Sequence, residues 1–143
     1  MQAPEEVNVD ADTLALVHQL YGAQSHHIDE GRAHEWAETF TPDGEFCSPS
    51  YPAPVTGTAA LTKFAEDFAG QDGVTRHVLT NLHVTPADDG LVVRAYLQIV
   101  RTLPDSPPEL LRQTTITDHL VRHAGTWRIR HRTVRRDDLK ENR

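Results

Sequence analysis

The chain of 143 residues is 38% hydrophobic and 24% charged, which predicts one soluble globular domain over residues 1–143 with an ordered core at about 10–136. Its net charge of −7 argues against general nucleic-acid binding, and no apolar run approaches the ~20 residues that cross a membrane. The N-terminus lacks a basic segment followed by an apolar one, and the single cysteine, Cys47, excludes an intrachain disulfide. We therefore expect a cytoplasmic protein with neither a nucleic-acid partner nor a membrane partner.

Helical periodicity begins near the N-terminus. Asp10 or Asp12 is a candidate cap for a helix whose apolar residues recur at steps of three and four as far as Ile28. Gly31 is expected to end this helix, since glycine commonly follows the last helical turn. The pattern predicts a long amphipathic helix with one buried face.

The next segment predicts a short helix, a turn and a short strand. The helix is expected from about Ala33 to Phe40, with Trp36 and Phe40 four residues apart on its inner face. The composition of Thr41–Gly44 is typical of a turn that stops the helix, and residues 45–48 have the pattern of a strand.

The second half of the chain predicts a sheet. The expected elements are a helix at 58–69 and strands at 74–85, 91–103, 110–123 and 127–135. Unbroken alternation would place His77, Leu79, Asn81 and His83 on one face of the first of these strands. Three helices followed by a curled antiparallel sheet form an α+β architecture, a cone whose mouth can enclose a small ligand.

Several local signatures, in this order and spacing, resemble the nuclear-transport-factor-2-like superfamily, in particular its SnoaL-like and scytalone-dehydratase-like branch. The residues that carry the resemblance are Ile28–Arg32, Trp36–Phe46, the loop reaching Gly57, Thr75–Asn81, Asp118–Arg122 and Gly125–Ile129. The segment from Trp36 to Phe46 and its proline-rich sequel are most similar to small proteins of actinobacterial aromatic polyketide pathways. The resemblance implies a cone-shaped, curved antiparallel sheet around the long N-terminal helix, with two further helices. It also implies a homodimer, as in many relatives.

The resemblance further implies a catalytic pair. Asp29 matches the pocket aspartate of scytalone-dehydratase-like enzymes, and His77 matches the histidine that this aspartate orients. In that chemistry the pair removes a proton next to a carbonyl, and hydroxide leaves as water. A base with a pKa near neutrality and a carboxylate that fixes its tautomer fit these demands. His26, which shares a helical face with Asp29, and Tyr51 are candidate assisting donors.

Five further residues are predicted to contact the substrate. Trp36 belongs to the inner face of the second helix, and Thr115 stands where the related enzymes carry a pocket serine. Arg132 is one of three alternating arginines and would point inward to hold an anionic or enolic oxygen. The other two predicted contacts are Asn81 and Tyr96.

The sequence leaves the reaction open. A dehydratase or cyclase acting on a polyketide-like, enolisable small molecule is favoured. The strand at 96–101 lacks the second histidine of the dehydratase pattern, so the general acid is not identified. One alternative is epoxide or spiroketal ring chemistry, in which an aspartate activates water or a ring oxygen is protonated. Another is a non-catalytic protein that binds an intermediate or supports an oxygenase. His26, Asp29 and His77 could ligate iron or zinc, but the prediction is that no metal or cofactor is used.

Overall fold

The structure is a computed structural model that describes residues 8–140. Residues 1–7 and 141–143, which the single-domain prediction also covers, lie outside the described residues. The helices are α1 (Ala11–Asp29), α2 (Ala33–Ala37) and α3 (Thr58–Ala69). The strands are β1 (Phe40–Cys47), β2 (Val55–Thr56), β3 (Val74–Ala87), β4 (Gly90–Thr102), β5 (Glu109–His123) and β6 (Thr126–Arg136).

The six strands form one curved sheet in the order β2-β1-β6-β5-β4-β3. The strands from β3 to β6 pair with their neighbours in antiparallel fashion, as predicted, but β1 pairs with β6 in parallel. The prediction of a wholly antiparallel sheet is therefore wrong at this one seam. No helix in the described part of the chain is long and apolar enough to cross a membrane.

Helix α1 lies against the sheet through one stripe of its surface. Its buried residues, Val17, Tyr21, Gln24 and Ile28, recur at steps of four and three, which is the spacing of one helical face. The Asp10 side chain caps the first turn by accepting a hydrogen bond from the Thr13 backbone N–H at 2.7 Å. Asp29 is the last residue of this helix and lies at the edge of the core.

The second helix is shorter than predicted, because the last residue of the predicted helix, Phe40, belongs to the sheet. It ends at Ala37, and Phe40 is the first residue of β1. The Thr39 hydroxyl donates to the Trp36 carbonyl at 2.6 Å, while the Thr39 carbonyl accepts from the Ile129 N–H at 2.9 Å. These bonds turn the chain out of the helix and onto β6.

The predicted turn at 41–44 lies within β1, where the strand register shifts between Phe40 and Glu45. A Cβ atom at Gly44 would lie 2.8 Å from Phe40 Cβ and 3.1 Å from the Ile129 carbonyl oxygen. Glycine is therefore required for β1 to approach β6 this closely, and the turn-like composition reflects a bulge rather than a chain reversal.

A second bulge interrupts β3 and inverts the alternation of its side chains. The register shifts between Thr80 and His83, and Asn81 adopts a left-handed conformation with φ 57°. Before the bulge His77 and Leu79 face the interior, whereas after it Asn81 and His83 are exposed. The prediction that these four residues share one face is wrong, since a bulge adds one residue and reverses the phase of the strand.

Candidate active site

A cavity of about 400 Å³ opens between the helices and the concave face of the sheet. One wall is aromatic and is formed by Trp36, Phe46, Tyr51, Phe64 and Phe68. Phe64 is at the centre of this wall, with ring centroids 4.9 Å from Phe46, 5.5 Å from Trp36 and 5.3 Å from Phe68. Such a wall offers broad apolar contact to a planar, ring-containing ligand.

His77 and Asp29 meet beside this wall. The His77 Nδ1 atom lies 2.7 Å from Asp29 Oδ1, and the His77 backbone N–H donates to both carboxylate oxygens at 3.1 Å. The two side chains are only 10% and 7% exposed. Because a carboxylate only accepts, Nδ1 carries the proton and the lone pair resides on Nε2.

The placement of the pair leaves the imidazole, and not the carboxylate, in contact with the main cavity. His77 lines this cavity, and its ring stands edge-on to Phe68 with centroids 5.1 Å apart. Its Nε2 atom makes no hydrogen bond to another residue within 8–140. Asp29 lines a smaller pocket behind His77. Histidine is thus the group available to a ligand, and aspartate is the group that orients it.

The deep end of the cavity contains a buried ion pair. Arg132 donates from Nε and Nη2 to the two carboxylate oxygens of Asp118, both at 2.8 Å, and the Tyr21 hydroxyl donates to the same carboxylate. Arg132 Nη2 also donates to Gln24 Oε1 at 2.8 Å, and Gln24 donates to Thr39 Oγ1 at 2.7 Å. Arg132 lines the cavity and is 3% exposed, whereas Asp118 is fully buried.

The pKa values of Tyr21 and Arg132 in this network are both raised. Burial and the neighbouring Asp118 carboxylate raise the pKa of Tyr21 well above its ordinary value, so the phenol stays protonated. Burial is the largest single influence and lowers the pKa of Arg132, but the charges and hydrogen bonds of Asp118 and Tyr21 together outweigh it, and the net pKa is raised. The guanidinium is therefore a permanent, rigidly held group of donors.

Two polar groups in the cavity wall have unused hydrogen-bonding capacity. The Ser25 hydroxyl is buried and has no hydrogen-bond partner among residues 8–140. The bonds of Arg132 to Asp118 and Gln24 are made by Nε and Nη2, so none of these bonds uses Nη1. A buried hydroxyl without a partner costs free energy, which a ligand oxygen would recover.

Of the predicted catalytic residues, His26 lies away from the cavity. Its side chain is 72% exposed and pairs with Glu30 at 3.4 Å, so its predicted role as an assisting donor is not supported by its position. Position 26 faces water because the buried stripe of α1 passes through Gln24 and Ile28. Tyr51, in contrast, lines the cavity, and its burial raises the pKa of its phenol above the ordinary value.

Three predicted substrate contacts also lie elsewhere. Tyr96 is 48% exposed and pairs across the sheet with Thr115, so both side chains lie on the outer face. Asn81 is exposed at the β3 bulge. The predictions for Tyr96, Thr115 and Asn81 are therefore corrected, whereas Trp36 and Arg132 do line the cavity.

The hydroxyl-bearing residue of β5 in the cavity is Thr114, one position before the predicted one. Its hydroxyl donates to the Leu97 carbonyl at 2.8 Å and is not free for a ligand. Sequence reasoning also missed Ser25, which follows the buried Gln24 on α1, and the exposed Arg112. Alternation along β5 from the buried Ile116 could have found Thr114, and helical spacing could have found Ser25, which lies four residues after Tyr21 and three before Ile28.

Comparison with known proteins gives a family match and several similar structures. A family model described as the SnoaL-like domain matches residues 10–133. Aln2 from a Streptomyces species is 28% identical with a TM-score of 0.85, over 93% of this chain and 96% of Aln2. ActVI-ORFA from Streptomyces coelicolor is 30% identical with a TM-score of 0.82, over 90% of this chain and 100% of that protein.

A protein from Catenulispora acidiphila, solved in complex with S-DNPA, is also 30% identical, with a TM-score of 0.81. The match covers 90% of this chain and 96% of that protein. A search of curated proteins found no match.

Proposed function

The chain belongs to the SnoaL-like domain family of the nuclear-transport-factor-2-like superfamily, as its sequence predicted, and we propose that it is a cytoplasmic polyketide-tailoring enzyme. The proposed reaction is a cofactor-independent dehydration or cyclisation of an enolisable polycyclic ketone. The aromatic wall of the cavity supports a planar polycyclic ligand, and the S-DNPA complex of the Catenulispora protein supports binding of a small molecule.

The observation that carries the proposal is the 2.7 Å contact between His77 Nδ1 and Asp29 at the edge of the cavity. With Nδ1–H held by the carboxylate, Nε2 takes a proton from the carbon next to the substrate carbonyl, and an enolate forms. The electron pair then expels a β-hydroxyl, which leaves as water with the proton returned from the imidazolium. Asp29 holds the Nδ1–H and stabilises the imidazolium.

The enolate oxygen needs hydrogen-bond donors, and the deep end of the cavity provides them. The Ser25 hydroxyl, which has no partner among residues 8–140, and Arg132 Nη1, which is not used in the bonds to Asp118 and Gln24, are the candidate donors. Since Asp118 balances the charge of Arg132, the guanidinium acts as a fixed donor that need not reorganise during the reaction. Tyr51 is a second candidate donor to the leaving hydroxyl, because it lines the cavity and carries a phenolic O–H.

The geometry gives less support to epoxide chemistry by an aspartate that activates water. Among residues 8–140, no aspartate or glutamate lines the main cavity. Asp118 is fully buried and occupied by Arg132 and Tyr21, and Asp29 lies behind His77. A base of the histidine type is therefore the better account of this site.

We also propose a homodimer formed through the outer face of the sheet. Val78 and Tyr96 lie on the outer face of the neighbouring strands β3 and β4, two positions apart in register, and are 36% and 48% exposed. Burying these side chains against a second copy would remove apolar surface from water. Sedimentation equilibrium measures the oligomeric state directly.

The function is tested by proton exchange, which does not depend on knowing the product. The probes are bicyclic aromatic β-hydroxy ketones in D₂O, and NMR follows exchange at the carbon next to the carbonyl. His77→Ala and Asp29→Asn are expected to lower the exchange rate by roughly 10²–10⁴-fold, the usual contribution of a general base. Calorimetric affinities for the probes should stay within about threefold, since the aromatic wall is unchanged.

His26→Ala is the matched control, because it removes an exposed imidazole near the same helix end. It is expected to exchange at the wild-type rate. If His77→Ala and Asp29→Asn both retain wild-type exchange, the enzymatic proposal is wrong and a binding role gains support. A wild-type protein that binds the probes without accelerating exchange would lead to the same conclusion.

A further inference from the structure

We propose that Glu45, Cys47 and His131 form a zinc site on the outer face of the sheet, separate from the cavity. Their metal-ligating atoms converge across the parallel seam between β1 and β6. Glu45 and Cys47 are two positions apart on β1, and Glu45 stands directly opposite His131 on β6. The sequence predicted no metal site because His131 is 84 positions from Cys47 along the chain, so the ligands have no local spacing motif.

Strand alternation fixes the side of the sheet on which this site lies. Phe46 and Arg132, the neighbours of these ligands along the two strands, both line the cavity. Since successive side chains in a strand point to opposite faces, Glu45, Cys47 and His131 point outward. Metal bound at this site would not contact a ligand in the cavity.

The distances between the ligand atoms match tetrahedral coordination. Cys47 Sγ lies 3.2 Å from Glu45 Oε1 and 3.6 Å from His131 Nε2, and the last two atoms are 3.9 Å apart. Ligands bound to zinc at about 2.0–2.3 Å in a tetrahedron are separated by roughly 3.3–3.8 Å. The three atoms therefore surround one ion with only small adjustments, and a fourth position remains for water.

The types of ligand select the metal. Thiolate and imidazole favour zinc over magnesium and calcium, which prefer oxygen ligands throughout. The Thr133 hydroxyl lies 3.5 Å from His131 Nδ1 and can hold the ring with Nε2 toward the site.

The site is tested with cobalt and zinc on the full chain, kept reduced with a phosphine. Cobalt(II) is expected to give a thiolate-to-metal charge-transfer band in the near ultraviolet, which zinc abolishes by displacement. Cys47→Ser should lose the band. Glu45→Gln and His131→Asn should each weaken zinc binding at least tenfold in calorimetric titration. In thermal melts zinc should raise the Tm of the wild type but not that of Cys47→Ser.

His34→Asn is the control for adventitious binding to a surface histidine. His34 forms an exposed pair with Glu38 but has no cysteine beside it, so its loss should leave zinc affinity unchanged. Circular dichroism establishes that each variant is folded. The proposal is wrong if wild-type protein shows no cobalt–thiolate band, or if Cys47→Ser binds zinc as tightly as wild type. Neither result would bear on the proposed catalytic role of His77, which the proton-exchange assay tests separately.

Discussion

At the scale of single residues, Tyr51 is the proposed second donor to the leaving hydroxyl. It lines the cavity beside Phe64, with ring centroids 5.1 Å apart, and partial burial raises the pKa of its phenol. Tyr51→Phe is expected to lower kcat about tenfold, as expected for a lost hydrogen bond of about 1.4 kcal/mol in the transition state, with little change in KM.

Tyr96→Phe is the matched control, since Tyr96 lies on the outer face of the sheet. It should leave both kinetic parameters at wild-type values. Steady-state kinetics on the substrate, or the exchange assay on its analogues, distinguishes the two variants. A larger effect of Tyr96→Phe than of Tyr51→Phe would contradict the assignment of the cavity wall.

The Arg132–Asp118 pair is a second feature at the residue scale. Because both side chains are buried, removing one of them is expected to destabilise the fold. Asp118→Asn leaves a buried guanidinium without its counter-charge and is expected to lower the free energy of unfolding by about 3–5 kcal/mol. Urea denaturation measures this change.

The double variant Asp118→Leu with Arg132→Met is expected to lose less than the sum of the two single changes. Removing both charges leaves neither one unpaired, so the coupling between the sites shows in a double-mutant cycle. Purely additive losses would indicate that the pair contributes no coupling energy.

At the scale of elements, the bulge of β3 sets which residues of that strand reach the cavity. Asn81 supports the bulge through its left-handed backbone, which asparagine and glycine tolerate and β-branched residues do not. Asn81→Val is expected to destabilise the fold by about 1–3 kcal/mol. Asn81→Gly should stay within about 1 kcal/mol of wild type.

Urea denaturation measures the stability of both position-81 variants, and steady-state kinetics measures the KM of Asn81→Gly. Because the side chain is exposed and outside the cavity, KM for Asn81→Gly should equal that of wild type. A large rise in KM would restore Asn81 as a substrate contact.

At the scale of the whole molecule, stability should decrease in alkaline solution because Tyr21 resists ionisation in the folded state. Burial and Asp118 raise the pKa of Tyr21 in the folded protein, whereas the unfolded chain ionises near the ordinary value of about 10. Above that pH the unfolded state releases a proton that the folded state retains, so ionisation favours unfolding. The slope is at most about 1.4 kcal/mol per pH unit from this residue.

Tyr21→Phe isolates this contribution. The variant should lose about 1–2 kcal/mol at pH 8, since the hydrogen bond to Asp118 is gone, but should be less sensitive to pH above 10. Urea denaturation at pH 8 and above 10 measures both quantities. An equal alkaline slope in wild type and Tyr21→Phe would show that other groups cause the loss.

The sequence by itself determined most of the long elements, the fold and the catalytic pair to be tested. Helical periodicity located α1 and α3, strand patterns located β3 to β6, and the order of local signatures identified the family, which the comparisons confirmed. Asp29 and His77 were also named from the sequence, and they do lie in contact. These features are encoded locally, in periodicity and in matched positions along the chain.

Only the tertiary structure decided which side chains face the cavity and which lie close together. One extra residue in β3 reversed the phase of the strand and moved Asn81 outward, and a one-residue difference in register separates Thr114 from Thr115. The contacts of Arg132 with Asp118 and of Cys47 with His131 join different strands. Side-chain direction in a sheet depends on register and bulges, which are set by packing and pairing between strands, so no local pattern specifies them.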